Sequence, residues 1–166
     1  MQLEEFYDYK NQLMQDLLTN PKIVSLIDDT IRFEDADSLM YTHVFPCEYV
    51  PDTAEFGQTY VCADVDLMRS SNQTYYSLAL YVWVFTHRSK MRLPDGAGLR
   101  VDKLCSEICK QINGSMKYGL GALDLYASKR FAPMTDYQGK VLIFHADDFN
   151  RLFNPKKEIP ANRKKG

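Results

Sequence analysis

The sequence predicts an α+β fold, in which a mainly antiparallel sheet carries one long amphipathic helix on one face and is preceded by N-terminal helices. Three observations lead to this prediction. Residues 59–69 and 75–85 alternate in side-chain type with a period of two, which is typical of strands. Residues 99–113 repeat apolar side chains at intervals of three and four, which is typical of a helix packed on one side. A short polar loop joins the two strands, which favours an antiparallel hairpin.

Length and charge limit the classes of protein that the chain can belong to. With 166 residues, we expect a single α+β domain over residues 1–153, followed by a basic, flexible C-terminal tail over residues 154–166. The net charge of −2 provides no field that would attract nucleic acid, so no specific nucleic acid is expected. No stretch approaches the roughly 20 apolar residues of a membrane span, so no membrane partner is expected. The N-terminus has no signal-peptide pattern, so the four cysteines are interpreted as reduced thiols.

Helices are predicted at the N-terminus. Apolar side chains between residues 3 and 18 form one stripe at helical spacing. Asn20 and Pro21 predict the start of a second, short helix, because asparagine is a favourable N-cap and proline fits the first helical position. Residues 31–43 are polar and acidic and predict a loop.

Strands dominate the rest of the chain. Residues 41–45 predict a short edge strand, because Pro46 cannot donate to a central ladder. Both faces of the 75–85 strand are apolar, so this strand is expected at the centre of the sheet or against a partner. The remaining elements are turns at 51–57 and 94–96, a hairpin loop at 70–73, the 99–113 helix, a short strand at 123–127, a loop at 132–139 and a final strand at 140–146.

Two pairs of side chains were considered as metal ligands. Asp64 and Asp66 project from one face of a strand, and such a carboxylate pair could hold Mg²⁺ in a small metal-dependent nuclease. Sheets also commonly leave one face in solvent, and this second interpretation is favoured. Cys105 and Cys109 fall on the apolar stripe of a helix and are expected to pack as small hydrophobic residues. No metal or other cofactor is therefore expected.

No catalytic set emerges from the sequence. His43, His87 and His145 lie at or near strands, but no GxSxG elbow supports serine–histidine chemistry. Neither glycine-rich phosphate-binding motif occurs. The chain is therefore not expected to be an enzyme.

A partner-binding surface is the favoured interpretation. Arg88, Lys90 and Arg92 alternate along the chain, so in an extended loop their side chains would project together. They could meet phosphate groups, and an acidic protein surface fits equally well. The second part of the surface consists of aromatic residue types that are enriched in the cores of protein interfaces. These are Tyr81, Trp83 and Phe85.

Three longer stretches carry a resemblance to a known family. The segments are THVFPCEYVPDTAEFGQTYVCADVDL, YVWVFTHRSKMRLPDGAGLRVDKLCSEI and YGLGALDLY followed by YQGKVLIFHADDFN. Together with the order of the elements, they resemble the tail-terminator and tail-completion (neck) proteins of long-tailed bacteriophages, over roughly residues 1–153.

The resemblance implies a structural virion protein with no catalytic residue. Such a protein forms a homo-oligomeric ring, a hexamer, at the head-proximal end of the tail tube, and it contacts the tail tube protein and a head-completion or connector protein. It would be located in the virion tail or neck and assembled in the host cytoplasm. The acidic stretch 28–37 and the basic segment 88–92 could then pair between neighbours. Another head–tail connector subunit and the metal-dependent nuclease are the alternatives.

Overall fold

The computed structural model describes residues 3–51, 57–68, 75–94 and 96–149, with only the backbone of residues 148 and 149. The predicted hairpin loop at 70–73, most of the turn at 51–57, the domain end at 153 and the C-terminal tail lie outside the described residues. The helices are α1 (Glu5–Leu17), α2 (Pro21–Ile27) and α3 (Arg100–Ile112), with 3₁₀ helices at Phe33–Leu39 and Arg88–Lys90. The strands are β1 (Val44–Phe45), β2 (Thr59–Leu67), β3 (Tyr75–His87), β4 (Asp124–Met134) and β5 (Tyr137–Phe149).

The predicted α+β class is confirmed. One five-stranded sheet has the order β1-β2-β3-β5-β4, and the pairs β2–β3, β3–β5 and β5–β4 are antiparallel. The predicted start of α2 is also confirmed, because the Asn20 side chain accepts a hydrogen bond from the backbone N–H of Lys22 at 3.0 Å and Pro21 is the first helical residue.

Two predictions for residues 31–45 were wrong in part. The predicted loop contains the 3₁₀ helix Phe33–Leu39, which forms because Ala36 and Leu39 are buried against the core. The short strand is at the sheet edge as predicted, but it pairs parallel to β2 through Val44 and Phe45. A long connection over residues 46–58 makes this parallel pairing possible.

The last two strands are longer than predicted. The predicted strand at 123–127 and the loop at 132–139 are parts of one hairpin, in which Asp124–Met134 pairs with Tyr137–Phe149. Register shifts between Leu125 and Ala127 and between Phe131 and Met134 interrupt the pairing. These irregularities break the alternation of side chains, so the sequence pattern ends before the strand does.

All three α-helices contribute to the core on one face of the sheet, which we call the helical face. The apolar stripe of α3 packs there against the central strands, and α1 and α2 complete the layer. Burying each large aliphatic side chain of this stripe contributes roughly 1.5–3 kcal/mol. The buried α3 residues in this core are Val101, Leu104, Cys105, Ile108 and Ile112.

The opposite face carries a smaller core at one end. We call it the aromatic cluster, and its buried members are Phe45, Tyr60, Cys62, Phe85 and Tyr137. Tyr49 covers it by stacking on Phe45, with ring centroids 4.0 Å apart. Gly139 pairs with Phe85 across the β3–β5 ladder. A Cβ at position 139 would lie 1.9 Å from the Val84 carbonyl oxygen and 2.6 Å from the Phe85 Cβ. Close approach of β5 to β3 at this point therefore requires glycine.

Candidate interaction surface on the open sheet face

No helix of the described residues packs on the second half of this sheet face. Tyr81 and Trp83 are half-buried on β3, and their rings stack with centroids 5.7 Å apart and an interplanar angle of 16°. In the neighbouring strand, Ile143 and Val141 are the residues directly opposite. The arrangement follows from the apolar second face of β3 that the sequence predicts.

A second aromatic stack extends this surface toward the sheet edge. Tyr126 is 68% exposed and lies at the β4 register shift, where its ring stacks on His145 at 4.1 Å with an interplanar angle of 12°. The register shift places the Tyr126 ring over the sheet on the same face as His145. We call the set Tyr81, Trp83, Val141, Ile143, Tyr126 and His145 the open patch.

Two of the three predicted aromatic interface residues belong to the open patch, and the third does not. Phe85 is fully buried in the aromatic cluster, with Tyr60 and Phe131 against its ring at centroid distances of 5.3 and 5.6 Å. It therefore cannot contact a partner while the aromatic cluster is intact. The prediction failed because alternation identifies the face of a residue but not the part of that face that the chain itself covers.

The extended conformation predicted for the basic segment was wrong. Residues 88–90 form a 3₁₀ turn whose N-cap is His87, so the three basic side chains do not project in one row. Arg88 is exposed and pairs with Asp136, with Nε 3.2 Å from Oδ1. Lys90 is half-exposed, and its carbonyl oxygen accepts a hydrogen bond from Arg100 Nε at 2.9 Å. Arg92 is exposed and pairs through its backbone with Leu99.

Part of the acidic stretch is satisfied within the chain. Arg100 is only 4% exposed, and it donates to the Leu26 carbonyl oxygen at 2.8 Å and to Asp29 Oδ2 at 3.3 Å. Burial raises the pKa of Asp28, but hydrogen bonds from Thr30 and the nearby charges outweigh it and hold this pKa below 3.8. Sequence reasoning missed Arg100, and an arginine at the first position of a helix, where the dipole disfavours cations, is the signal that could have indicated it.

The carboxylates of Asp64 and Asp66 on β2 lie in different environments. Asp64 Oδ1 accepts from Lys10 Nζ of α1 and from the backbone N–H of Val65, each at 2.8 Å. The strand β1 pairs only with Val61 and Cys62, so this side chain satisfies a backbone group on an otherwise unpaired edge of β2. Asp66 lies on the same face and is exposed. In the described parts of the chain, no group of three or more His, Cys, Asp or Glu side chains could hold a metal ion.

The histidines and the helical cysteines lie in separate environments. His87 Nδ1 is 2.7 Å from Ser89 Oγ at one end of the β3–β5 ladder. His145 pairs with Ala79, eight residues along β3 from His87, or roughly 26 Å away along the strand. Burial lowers the pKa of His43 and raises that of Cys105 to about 12. Cys109 packs against the same core as Cys105, so the expectation that both thiols pack as hydrophobic groups is confirmed.

A partly buried polar cluster joins α1 to the segment after α3. The Asp16 carboxylate accepts from Tyr118 Oη at 2.6 Å, Gln111 Nε2 at 2.8 Å and Lys117 Nζ at 2.8 Å. Burial raises the pKa of Asp16 and is the largest single influence, but these hydrogen bonds together outweigh it and place this pKa below 3.8. The cluster connects the C-terminal end of α1 with α3 and the segment that follows it.

Comparison with known proteins places the chain in a family. No curated protein matches the sequence. Among the described helices, none is both long enough and apolar enough to cross a membrane. A family model described as YomW matches residues 7–146. Its name resembles that of a gene from a Bacillus phage region, which agrees with the phage-related part of the resemblance and leaves the tail-terminator role open. Because the match spans most of the sequence, the chain belongs to the YomW family.

Proposed function

We propose that the chain is a structural virion protein that acts as a tail terminator, forming a homo-oligomeric ring at the head-proximal end of the tail tube. In this proposal the ring contacts tail tube protein on one side and a head-completion or connector protein on the other. Another connector subunit of the neck is the nearest alternative, because it would use the same kind of interface.

The open patch is the observation that carries this proposal. Two stacked aromatic pairs lie on a sheet face where no described helix or strand covers them. Tyrosine and tryptophan are enriched at the energetic centres of protein interfaces, because they bury a large area at a small cost in side-chain entropy. An apolar sheet face of this type is expected to pack against a neighbouring copy in a stable assembly.

One observation favours the alternative that the chain is a metal-dependent nuclease. The fold brings Lys10 to Asp64, and a lysine beside a carboxylate pair is what such a site needs. The same contact occupies the carboxylate with an ion pair and a strand-edge hydrogen bond, however. We therefore propose the structural role ahead of the enzymatic one.

Mass in solution tests the proposal. Light scattering on a size-exclusion column, over a range of concentrations, should show six copies of the 19.2-kDa chain, or about 115 kDa. Tyr81→Arg should dissociate this assembly, because a charge would be buried in its interface. Tyr7→Arg is the matched control, since Tyr7 is an exposed aromatic residue on α1. An unchanged mass for Tyr81→Arg would contradict the assignment of the open patch.

A further inference from the structure

A groove of about 510 Å³ lies between α2 and α3 on the solvent side of the helical layer. A second hollow of about 340 Å³ shares residues 25, 26 and 103 with it, so the two form one trough that continues toward Leu93 and Pro94. The groove itself is lined by Lys22, Ser25, Leu26, Lys103, Ser106, Glu107 and Lys110.

Positive charge predominates in this groove. Three lysines face a single carboxylate, that of Glu107, whose Oε1 accepts from Lys110 Nζ at 2.7 Å. Lys22 and Lys103 form no ion pair with any carboxylate in the described parts of the chain, and both are exposed. The half-buried Leu26 adds an apolar floor. The groove therefore suits an acidic segment that also carries one apolar side chain.

The chain itself displays a segment of this chemistry. The 3₁₀ helix Phe33–Leu39 is anchored by two buried residues, and its Glu34, Asp35 and Asp37 side chains are exposed. None of these three carboxylates forms an ion pair with a described residue. Phe33, at the start of the segment, is 48% exposed. No residue of this segment lines the groove of its own chain.

We propose that the groove between α2 and α3 binds the acidic 3₁₀ helix of a second copy of this chain. The three carboxylates would face the lysines, and Phe33 would pack against the apolar part of the trough around Leu26 and Leu93. Because the two surfaces differ, the contact is heterologous and can repeat from copy to copy, as a ring requires. The inference depends on the self-association in the proposed function and adds a second contact, separate from the open patch.

The sequence suggested that the basic segment 88–92 is the partner of the acidic stretch 28–37. The proposed contact gives the acidic residues a different basic partner, the groove. Arg88 already pairs with Asp136 and Arg100 with Asp29, each within one chain. Lys22 and Lys103 of the groove form no ion pair with a described residue, and they lie beside the half-buried Leu26. In the proposed contact, the acidic residues 33–39 therefore face the groove lysines in place of residues 88–92.

Charge exchange between the two surfaces tests the proposal. Lys22→Glu/Lys103→Glu reverses the groove, and Glu34→Lys/Asp35→Lys reverses the segment. Each variant alone should raise the dissociation constant of self-association, measured by sedimentation velocity, by about tenfold or more. An equimolar mixture of the two variants, and a chain that carries all four changes, should recover the wild-type mass. Arg88→Glu/Arg92→Glu is the matched basic control and should leave the mass unchanged.

The possible outcomes separate this inference from the proposed function. If both reversed variants keep the wild-type mass while Tyr81→Arg loses it, the inference is wrong and the ring stands. If the reversed variants weaken association but neither the mixture nor the chain with all four changes recovers it, the loss does not come from pairing of these two surfaces and the inference is also wrong. A wild-type chain that stays monomeric at every concentration overturns both. High salt should weaken the proposed contact, because 1 M salt screens charges beyond about 3 Å.

Discussion

Replacing Arg100 with methionine tests how the helical layer is held together. The guanidinium group donates to the carbonyl oxygens of Lys90 and Leu26 at 2.9 and 2.8 Å and to Asp29 at 3.3 Å. It thereby connects the start of α3, the end of α2 and the turn after β3. Methionine keeps much of the volume and the apolar stem of the side chain, so the main loss is the set of hydrogen bonds.

The expected loss of stability follows from what is left unpaired. Two carbonyl oxygens lose the donor that now covers them, since the Arg100 side chain is only 4% exposed. A buried acceptor without a partner costs about 1–3 kcal/mol. The Asp29 side chain is 48% exposed and can be solvated, so it adds little. Removing a cation from the helix N-terminus offsets part of the loss. The net effect should be a decrease of about 2–4 kcal/mol in the free energy of unfolding.

Chemical denaturation measures this decrease directly. Trp83 is the only tryptophan, so its fluorescence reports on unfolding of the sheet. The urea midpoint of Arg100→Met should fall without a change in the m-value. Arg92→Met is the matched control, because Arg92 is exposed, and its free energy of unfolding should stay within about 0.5 kcal/mol of the wild-type value. Equal midpoints for the two variants would refute the reasoning.

Three further variants test other parts of the fold. Gly139→Ala should destabilise the chain by more than about 3 kcal/mol, because its Cβ would overlap the β3 backbone beside Phe85; wild-type thermal stability would contradict this. Asp16→Asn should lose about 2 kcal/mol at pH 7. Hydrogen bonds hold the pKa of Asp16 in the folded chain below 3.8, so this stabilisation is fully present above pH 3.8 and is lost as the pH falls through the lowered pKa. The stabilities of the variant and the wild type should therefore converge in acid, and a constant difference would refute the assignment. Asp64→Asn should weaken the contact with Lys10 and increase aggregation through the β2 edge, measured by light scattering; loss of a Mg²⁺-dependent nuclease activity instead would favour the enzyme.

The elements that the sequence predicted well are those with one clear chemical period. In β2 and β3 the side chains alternate without interruption, so burial on the helical face follows the pattern through Val61, Val82 and Val84. The helix α3 has a single apolar stripe, and its observed end at Ile112 agrees with the predicted one at Asn113 within a residue. These elements could be predicted without knowing which residues far apart in sequence contact each other.

The missed features depend on contacts between residues far apart in sequence. Most of β4 is exposed on both faces and contains Ser128, Lys129 and Arg130, so it has no apolar alternation to mark it as a strand. The 3₁₀ helix at 33–39 forms around only two buried residues. The alternation in β3 predicted the sheet face on which Phe85 lies, but its burial depends on how Tyr60 and Tyr137 pack over it.

Mass in solution of the wild type beside Tyr81→Arg tests the central proposal most directly. If the open patch joins copies of the chain in a terminator ring, the wild type should elute as a hexamer of about 115 kDa, and Tyr81→Arg should elute as smaller species that remain folded. The control Tyr7→Arg should behave like the wild type. A wild type that stays at 19.2 kDa at every concentration would contradict the ring. A hexamer that Tyr81→Arg leaves intact would contradict the role of the open patch.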